Sequence, residues 1–314
     1  MDIATRHQRR QLGRPIKGIA ACLLPFEPDG QIAQVAFQDA VRRTHQAGLG
    51  CAVNMDTGYA NYLSPAERTL VLQLTKDALP DSTPFVAGAY IEGQEGDLTA
   101  LYRQQMDEIA SFGGTPIIFQ SQRFHGQSPQ RIADLYATLC EPYPAVLGFE
   151  LGQMFAPNGL IFDEATIRLL LQIPSLVGIK HSSLSRDIEL ARLALRDELR
   201  PDFTIFTGND LGIDMVEYGS DYLLGLAAFC PEKFAERDRL WAAGHGDYHE
   251  LADALQYLGN VAFRHPVPAY KHSCAIFQHL LGRIPSPQSH PLCPRRPDSE
   301  REILADCARR LALA

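Results

Sequence analysis

The chain is predicted to fold as a (β/α)8 barrel with a C-terminal helical extension, and three observations predict it. Short apolar runs with strand character recur along the sequence, helix-periodic stretches lie between them, and successive runs are spaced roughly 30 residues apart, as eight units of a ~250-residue barrel require. The runs stop near residue 240, which places the barrel at 15–240 and a helical region packed on it at 241–314.

The first strand is read at IAACLL (19–24), the second at CAVNM (51–55), the third at FVAGAY (85–90) and the fourth at PIIFQ (116–120). AVLGFEL (145–151), LVGIK (176–180), FTIF (203–206) and YLLGLA (222–227) complete the eight. All have the length of a buried strand rather than of a helix. Apolar residues at helical spacing fill the intervals, for example over 35–47, 65–78, 98–110 and 188–195. The tail reads as helices over 246–264, 268–282 and 298–312, the last two joined by the proline-rich RIPSPQSHPLCPRRPDSE. A doubly wound open sheet uses the same units, but no GxGxxG or GxxxxGK[ST] follows the first strand, where a nucleotide-binding version carries one.

The 314 residues are 46% hydrophobic and 21% charged, which fits a globular protein with a sizeable core. No apolar run approaches the ~18 residues of a membrane-spanning helix. The opening MDIATRHQRRQLGRP is basic without a following apolar segment, so it is read as a surface arm and the protein as cytoplasmic. A net charge of −8 argues against a general nucleic-acid partner, and the small basic cluster at Arg295, Arg296 and Arg301 reads as solvated surface. Seven cysteines are dispersed with no CxxC spacing, which suggests reduced, mostly buried thiols. Neither HExxH nor paired CxxC is present, so no metal site is expected.

Lys180 ends an apolar strand in a chain with only five lysines, Lys17, Lys76, Lys180, Lys233 and Lys271, among 29 basic residues. Such an ammonium either snorkels to water along a buried stem or is a desolvated amine whose lowered pKa makes it a nucleophile towards carbonyl carbon. Barrel enzymes place their chemistry at the carboxyl ends of the strands, where Lys180 is read to lie.

Four stretches resemble the dihydrodipicolinate synthase and N-acetylneuraminate lyase family of class I aldolases: GIAACLLPFEPDG (18–30), DTGYANYLSPAER (56–68), LVGIKHSS (176–183) and TGNDLG (207–212). The resemblance implies a lysine imine with pyruvate or another 2-oxo acid, with no separate cofactor, in a homodimer or homotetramer. It makes Lys180 the Schiff-base lysine and gives Thr57, with the amides around Gly58, the substrate carboxylate. Gly208, in the turn after strand seven, falls on the substrate side. The expected reaction is aldol cleavage or condensation. Dehydration of a deoxy-2-oxo sugar acid through the same imine, or a barrel that has lost the chemistry, are the alternatives.

The departures from the family pattern define further candidates. LGFELG (147–152) stands where the family has a catalytic tyrosine, and a gapless match puts Gly148 in its place. Strand alternation turns Gly148 and Glu150 to one side and Phe149 to the other, so Glu150 is read either as a proton carrier in the site or as the partner of a nearby arginine. Asp56 and Tyr59 replace a threonine and a glutamate of the substrate loop, with Asp56 free to bind a cation or hydroxyls of the ligand and Tyr59, or Tyr62, able to supply a phenol. FQSQRFHG (119–126) brings Arg123 and His125 to a loop expected to overhang the site. His181 is turned from the barrel axis and assigned to packing.

Overall fold

The computed structural model describes residues 8–313, so the first seven residues of the basic arm lie outside the described residues. Eight parallel strands close in sequence order: β1 (Gly18–Ala21), β2 (Gly50–Val53), β3 (Phe85–Ala89), β4 (Gly114–Ile118), β5 (Val146–Leu151), β6 (Leu176–Ser182), β7 (Thr204–Thr207) and β8 (Asp221–Leu224). Closure is made by β1 against β8, with Ile19 paired to Leu223. The predicted barrel is therefore observed, each strand lying within a few residues of its expected place.

The helices are α1 (Gln34–Gln46), α2 (Pro65–Ala78), α3 (Leu98–Ser111), α4 (Pro129–Cys140), α5 (Glu164–Leu170), α6 (Arg186–Leu199) and α7 (Pro231–Ala242), followed by α8 (Tyr248–Ala262), α9 (Tyr270–Leu280) and α10 (Glu300–Arg310). Several starts are written in the sequence. Before α2, the Ser64 hydroxyl accepts the Glu67 amide while the Glu67 carboxylate accepts the Ser64 amide, and Pro65 takes the first helical position, where no N–H is needed. Asp97, Ser128, Asp163 and Ser185 cap α3 to α6 in the same way, each accepting an amide from the first turn.

Two apolar layers result. Inward residues such as Ile19, Ala52, Ile117, Leu147, Phe149, Phe206 and Leu223 fill the barrel, and a larger layer seals the strands against the helices. All seven cysteines are buried and none is paired in a disulfide. Among the described residues no helix is long and apolar enough to cross a membrane.

Candidate active site

β6 runs Leu-Val-Gly-Ile-Lys-His-Ser, and alternation sends Gly178, Lys180 and Ser182 inward and His181 outward. Lys180 is 6% exposed. Among the described residues its amine makes no hydrogen bond or ion pair; it lies 4.6 Å from the centroid of the Phe149 ring, its paired neighbour on β5. Burial lowers its pKa, opposed by the carboxylates of Asp210 and Asp56. The lysine thus carries a partly desolvated amine.

The turn after β7 comes close to that amine. The Gly208 amide donates to the His181 carbonyl at 2.7 Å, and a Cβ at Gly208 would stand 2.0 Å from Ser182 Oγ and 2.7 Å from Lys180 Cε. Only glycine leaves the lysine stem its path. Asn209 is held by Glu189 and accepts the Leu184 amide at 2.7 Å. Asp210 follows, buried, accepting the Leu226 amide at 2.7 Å. Burial raises its pKa to about 7, against the pull of Lys180 and that amide.

Opposite lies the 3-10 turn Asp56–Gly58, which follows β2. The Gly58 amide donates to Met55 O at 3.0 Å and the Tyr59 amide to Asp56 O at 2.9 Å, so these amides around Gly58, expected with Thr57 to hold a carboxylate, are engaged within the turn. The side chains of the turn meet α9. Tyr270 Oη lies 2.9 Å from Thr57 Oγ1 and donates to Asp56 Oδ2 at 2.9 Å, while Lys271 Nζ pairs with Asp56 Oδ1 at 2.9 Å. Burial holds the Tyr270 phenol well above its ordinary pKa, with the Asp56 charge adding to the effect and the Thr57 bond opposing it.

Several candidates fall elsewhere. Gly148 and Glu150 do share a face, but it is the helix side: a Cβ on Gly148 would meet Ile179 and Tyr136, and Glu150 lies between β5 and α6. Its carboxylate meets His181 Nδ1 at 2.6 Å, accepts Arg192 Nε at 2.9 Å and Arg192 Nη2 at 3.2 Å, and accepts the Phe162 amide at 3.0 Å. Burial opposes ionisation there, yet His181 and Arg192 outweigh it and hold the pKa at about 2. Glu150 therefore has the arginine partner of its second reading and does not reach the cavity; Phe149 is the β5 side chain beside Lys180. A gapless match places the face wrongly because one residue of slip inverts every side chain of a strand.

Tyr59 is buried with its ring 5.6 Å from Phe26 and 5.8 Å from His290, and burial pushes its phenol well up. Arg123 turns outward, its guanidinium bonding Gly96 O at 2.8 Å and Gln94 O, and borders a surface pocket between α3 and α4 rather than the barrel mouth. His125 Nε2 lies 3.2 Å from the Asn158 carbonyl and so braces the loop after β5.

A cavity of about 250 Å³ opens at the mouth, bordered by Asp56 and Lys271, by Tyr62, Tyr90, Phe119 and Phe149, and by the loop after β5. Lys180 does not border it, but its paired neighbour Phe149 does. Asp210, Phe149, Tyr270 and Lys271 are the residues that sequence reasoning missed. Asp210 sat inside the recognised TGNDLG turn, and the scarcity of lysine was a signal for Lys271.

Comparison with known proteins agrees with the barrel fold. The family described as protein of unknown function (DUF993) matches residues 26–305. A 4-hydroxy-tetrahydrodipicolinate synthase of Methanopyrus kandleri is 25% identical over 312 residues, covering 96% of this chain and 98% of the relative. A dihydrodipicolinate synthase of Thermotoga maritima superposes with a TM-score of 0.81 at 17% identity, covering 96% of this chain and 100% of that one. The chloride-inhibited enzyme of Acinetobacter baumannii, complexed with pyruvate, gives 0.78 at 18% identity over 96% of this chain and 100% of the other.

Proposed function

The chain belongs to the DUF993 family and is a divergent member of the dihydrodipicolinate synthase and N-acetylneuraminate lyase family; from that premise we propose that it is a lyase that forms an imine between Lys180 and a 2-oxo acid such as pyruvate. The observation that carries the proposal is Lys180 itself: a buried amine that, among the described residues, has no ion pair, at the carboxyl end of β6. Lys271 is more deeply buried, but its ammonium is committed to Asp56. Lys233 is paired with Glu236.

In this reading the neutral amine adds to the ketone carbon, and loss of water leaves a protonated imine, with Asp210 as the nearby acid or base. In aldol cleavage the electrons of the bond next but one to the imine carbon flow into it as an enamine. The departing carbon's hydroxyl gives up its proton and leaves as an aldehyde. A proton then returns to the enamine carbon and water releases the acid. Tyr270, bonded to Thr57 and Asp56, is the phenol placed to relay these protons. Condensation is the reverse, and elimination of water uses the same imine with a different bond aligned to it.

Borohydride reduction in the presence of pyruvate, followed by peptide mapping, tests the proposal. The adduct is expected on Lys180, and Lys180→Arg is expected to abolish both trapping and turnover, since a guanidinium keeps the charge but cannot serve as the amine. An adduct on Lys271, or none with any 2-oxo acid, would overturn it.

A further inference from the structure

The cavity at the barrel mouth is walled by aromatic rings that form a continuous surface. Tyr90 meets Phe119 edge-on at 5.7 Å between centroids, and Phe119 meets Phe149 edge-on at 5.0 Å. Tyr62 and Phe155, both half-buried, complete the wall.

Four of its polar side chains, Gln120, Asn158, Asp56 and Lys271, are engaged within the protein. Gln120 donates Nε2 to Leu160 O at 2.6 Å, and its Oε1 accepts the amides of Leu160 at 2.9 Å and Leu151 at 3.2 Å. Asn158 donates to Gln120 O at 2.7 Å. The two charged residues on the wall, Asp56 and Lys271, neutralise each other at 2.9 Å. A ligand bearing a second carboxylate would find no uncommitted cation on this wall, and a polyhydroxylated chain would set most of its hydroxyls against ring faces, with Asn61 and the phenols of Tyr62 and Tyr90 as its side-chain partners. Flat apolar groups lose nothing there and gain edge-to-face contacts.

We propose that the cavity receives an aromatic ring, so that the carbonyl compound released from or added to the 2-oxo acid is an aryl aldehyde or a close apolar analogue. The volume suits this: a cavity of about 150 Å³ holds a benzene-sized ring, and about 250 Å³ is present. Naming the second substrate rests on the imine reading above. The ligand class of the cavity does not.

Titration of the full chain with benzyl alcohol, glycerol and succinate, followed by ligand-observed NMR, separates the two. Benzyl alcohol is expected to bind at least tenfold tighter than either of the others. Phe155→Ala and Tyr90→Ala, checked for native circular dichroism, are each expected to weaken it several-fold. Equal or tighter binding of succinate or glycerol, or indifference of benzyl alcohol to both variants, would overturn the proposal whatever the lysine does. In parallel, condensation of pyruvate with benzaldehyde should exceed that with glyceraldehyde or succinic semialdehyde by tenfold or more. A reversed order in protein whose Lys180 is trapped by pyruvate refutes the substrate class alone; failure of trapping refutes the imine and leaves the titration to decide the cavity.

Discussion

Replacing Glu150 by glutamine distinguishes a structural carboxylate from a chemical one. The group is fully buried and its charge is answered by Arg192 through two hydrogen bonds, by His181 and by the Phe162 amide. Its pKa falls from an ordinary 4.5 to about 2, with the pairings overcoming burial. At about 1.4 kcal/mol for each tenfold in proton affinity, that displacement corresponds to about 3 kcal/mol of stability. Removing one partner of a buried pair costs about 3–5 kcal/mol, which agrees. Because the folded pKa is depressed, this stability is present above pH 4.5 and is lost as pH falls through about 2. Glu150→Gln should therefore lower the urea midpoint at pH 7 by the equivalent of about 3 kcal/mol, and the deficit should shrink below pH 4.5. Imine trapping at Lys180 should persist in the folded protein, and turnover should stay within a few-fold. Joint replacement of Glu150 and Arg192 by leucine should be milder than Arg192→Leu alone, which strands the carboxylate. Unchanged stability with turnover down by about 10²–10⁴ would refute the reasoning and put the carboxylate in the chemistry.

The other expectations concern the groups around Lys180. Gly208→Ala drives a Cβ into the Lys180 stem and Ser182 Oγ, so trapping should slow by about tenfold or more for this displacement of the amine while the fold survives by circular dichroism; an unchanged rate would refute the close approach. Tyr270→Phe removes the hydroxyl shared by Thr57 and Asp56 but keeps the Lys271 pair, and should lower turnover by about 10²–10⁴ with trapping retained, whereas full activity would exclude the phenol as a relay. Asp210 has a raised folded pKa of about 7, so its contribution to stability is complete below pH 3.8 and is lost as pH rises through 7. Asp210→Asn should accordingly raise the melting temperature at pH 8, with the gain fading towards pH 4, and should slow imine formation; a lower melting temperature at pH 8 would show that ionised Asp210 stabilises the fold.

The barrel was legible because its signal is repetitive: eight short apolar runs separated by helix-period stretches leave few architectures open. Lys180 was legible for a local reason, a cation ending an apolar strand in a lysine-poor chain. The face of β5 was not. The pairing of β5 with β6 shifts register between Val146 and Leu147, an irregularity with no mark in the sequence, and the aligned Gly148 concealed that Phe149 points inward. The apolar beat at 147, 149 and 151 was the better guide. Arg123 and His125 sit on the anticipated loop, but loop composition does not say which way a long side chain will swing. The scarcity of lysine marked Lys271, but its meeting with Asp56, and that of Tyr270, were beyond local reasoning, since neither periodicity nor a motif ties α9 to the turn after β2.

That tie has a consequence for the order in which the protein is made. Asp56 meets Tyr270 and Lys271 across 214 and 215 residues of chain. A nascent polypeptide emerging from the ribosome carries all eight strands, Lys180 and Asp210 well before α9 is synthesised. Contacts so distant in sequence are costly to close and are made late. During that interval the carboxylate of Asp56 has neither its countercharge nor its phenol, and the rings of Tyr59 and Tyr62 lack the ammonium that later lies 5.8 Å from each. Lys180 is thus present in the growing chain before the groups that complete its surroundings, and the site is whole only when the last quarter of the sequence has docked.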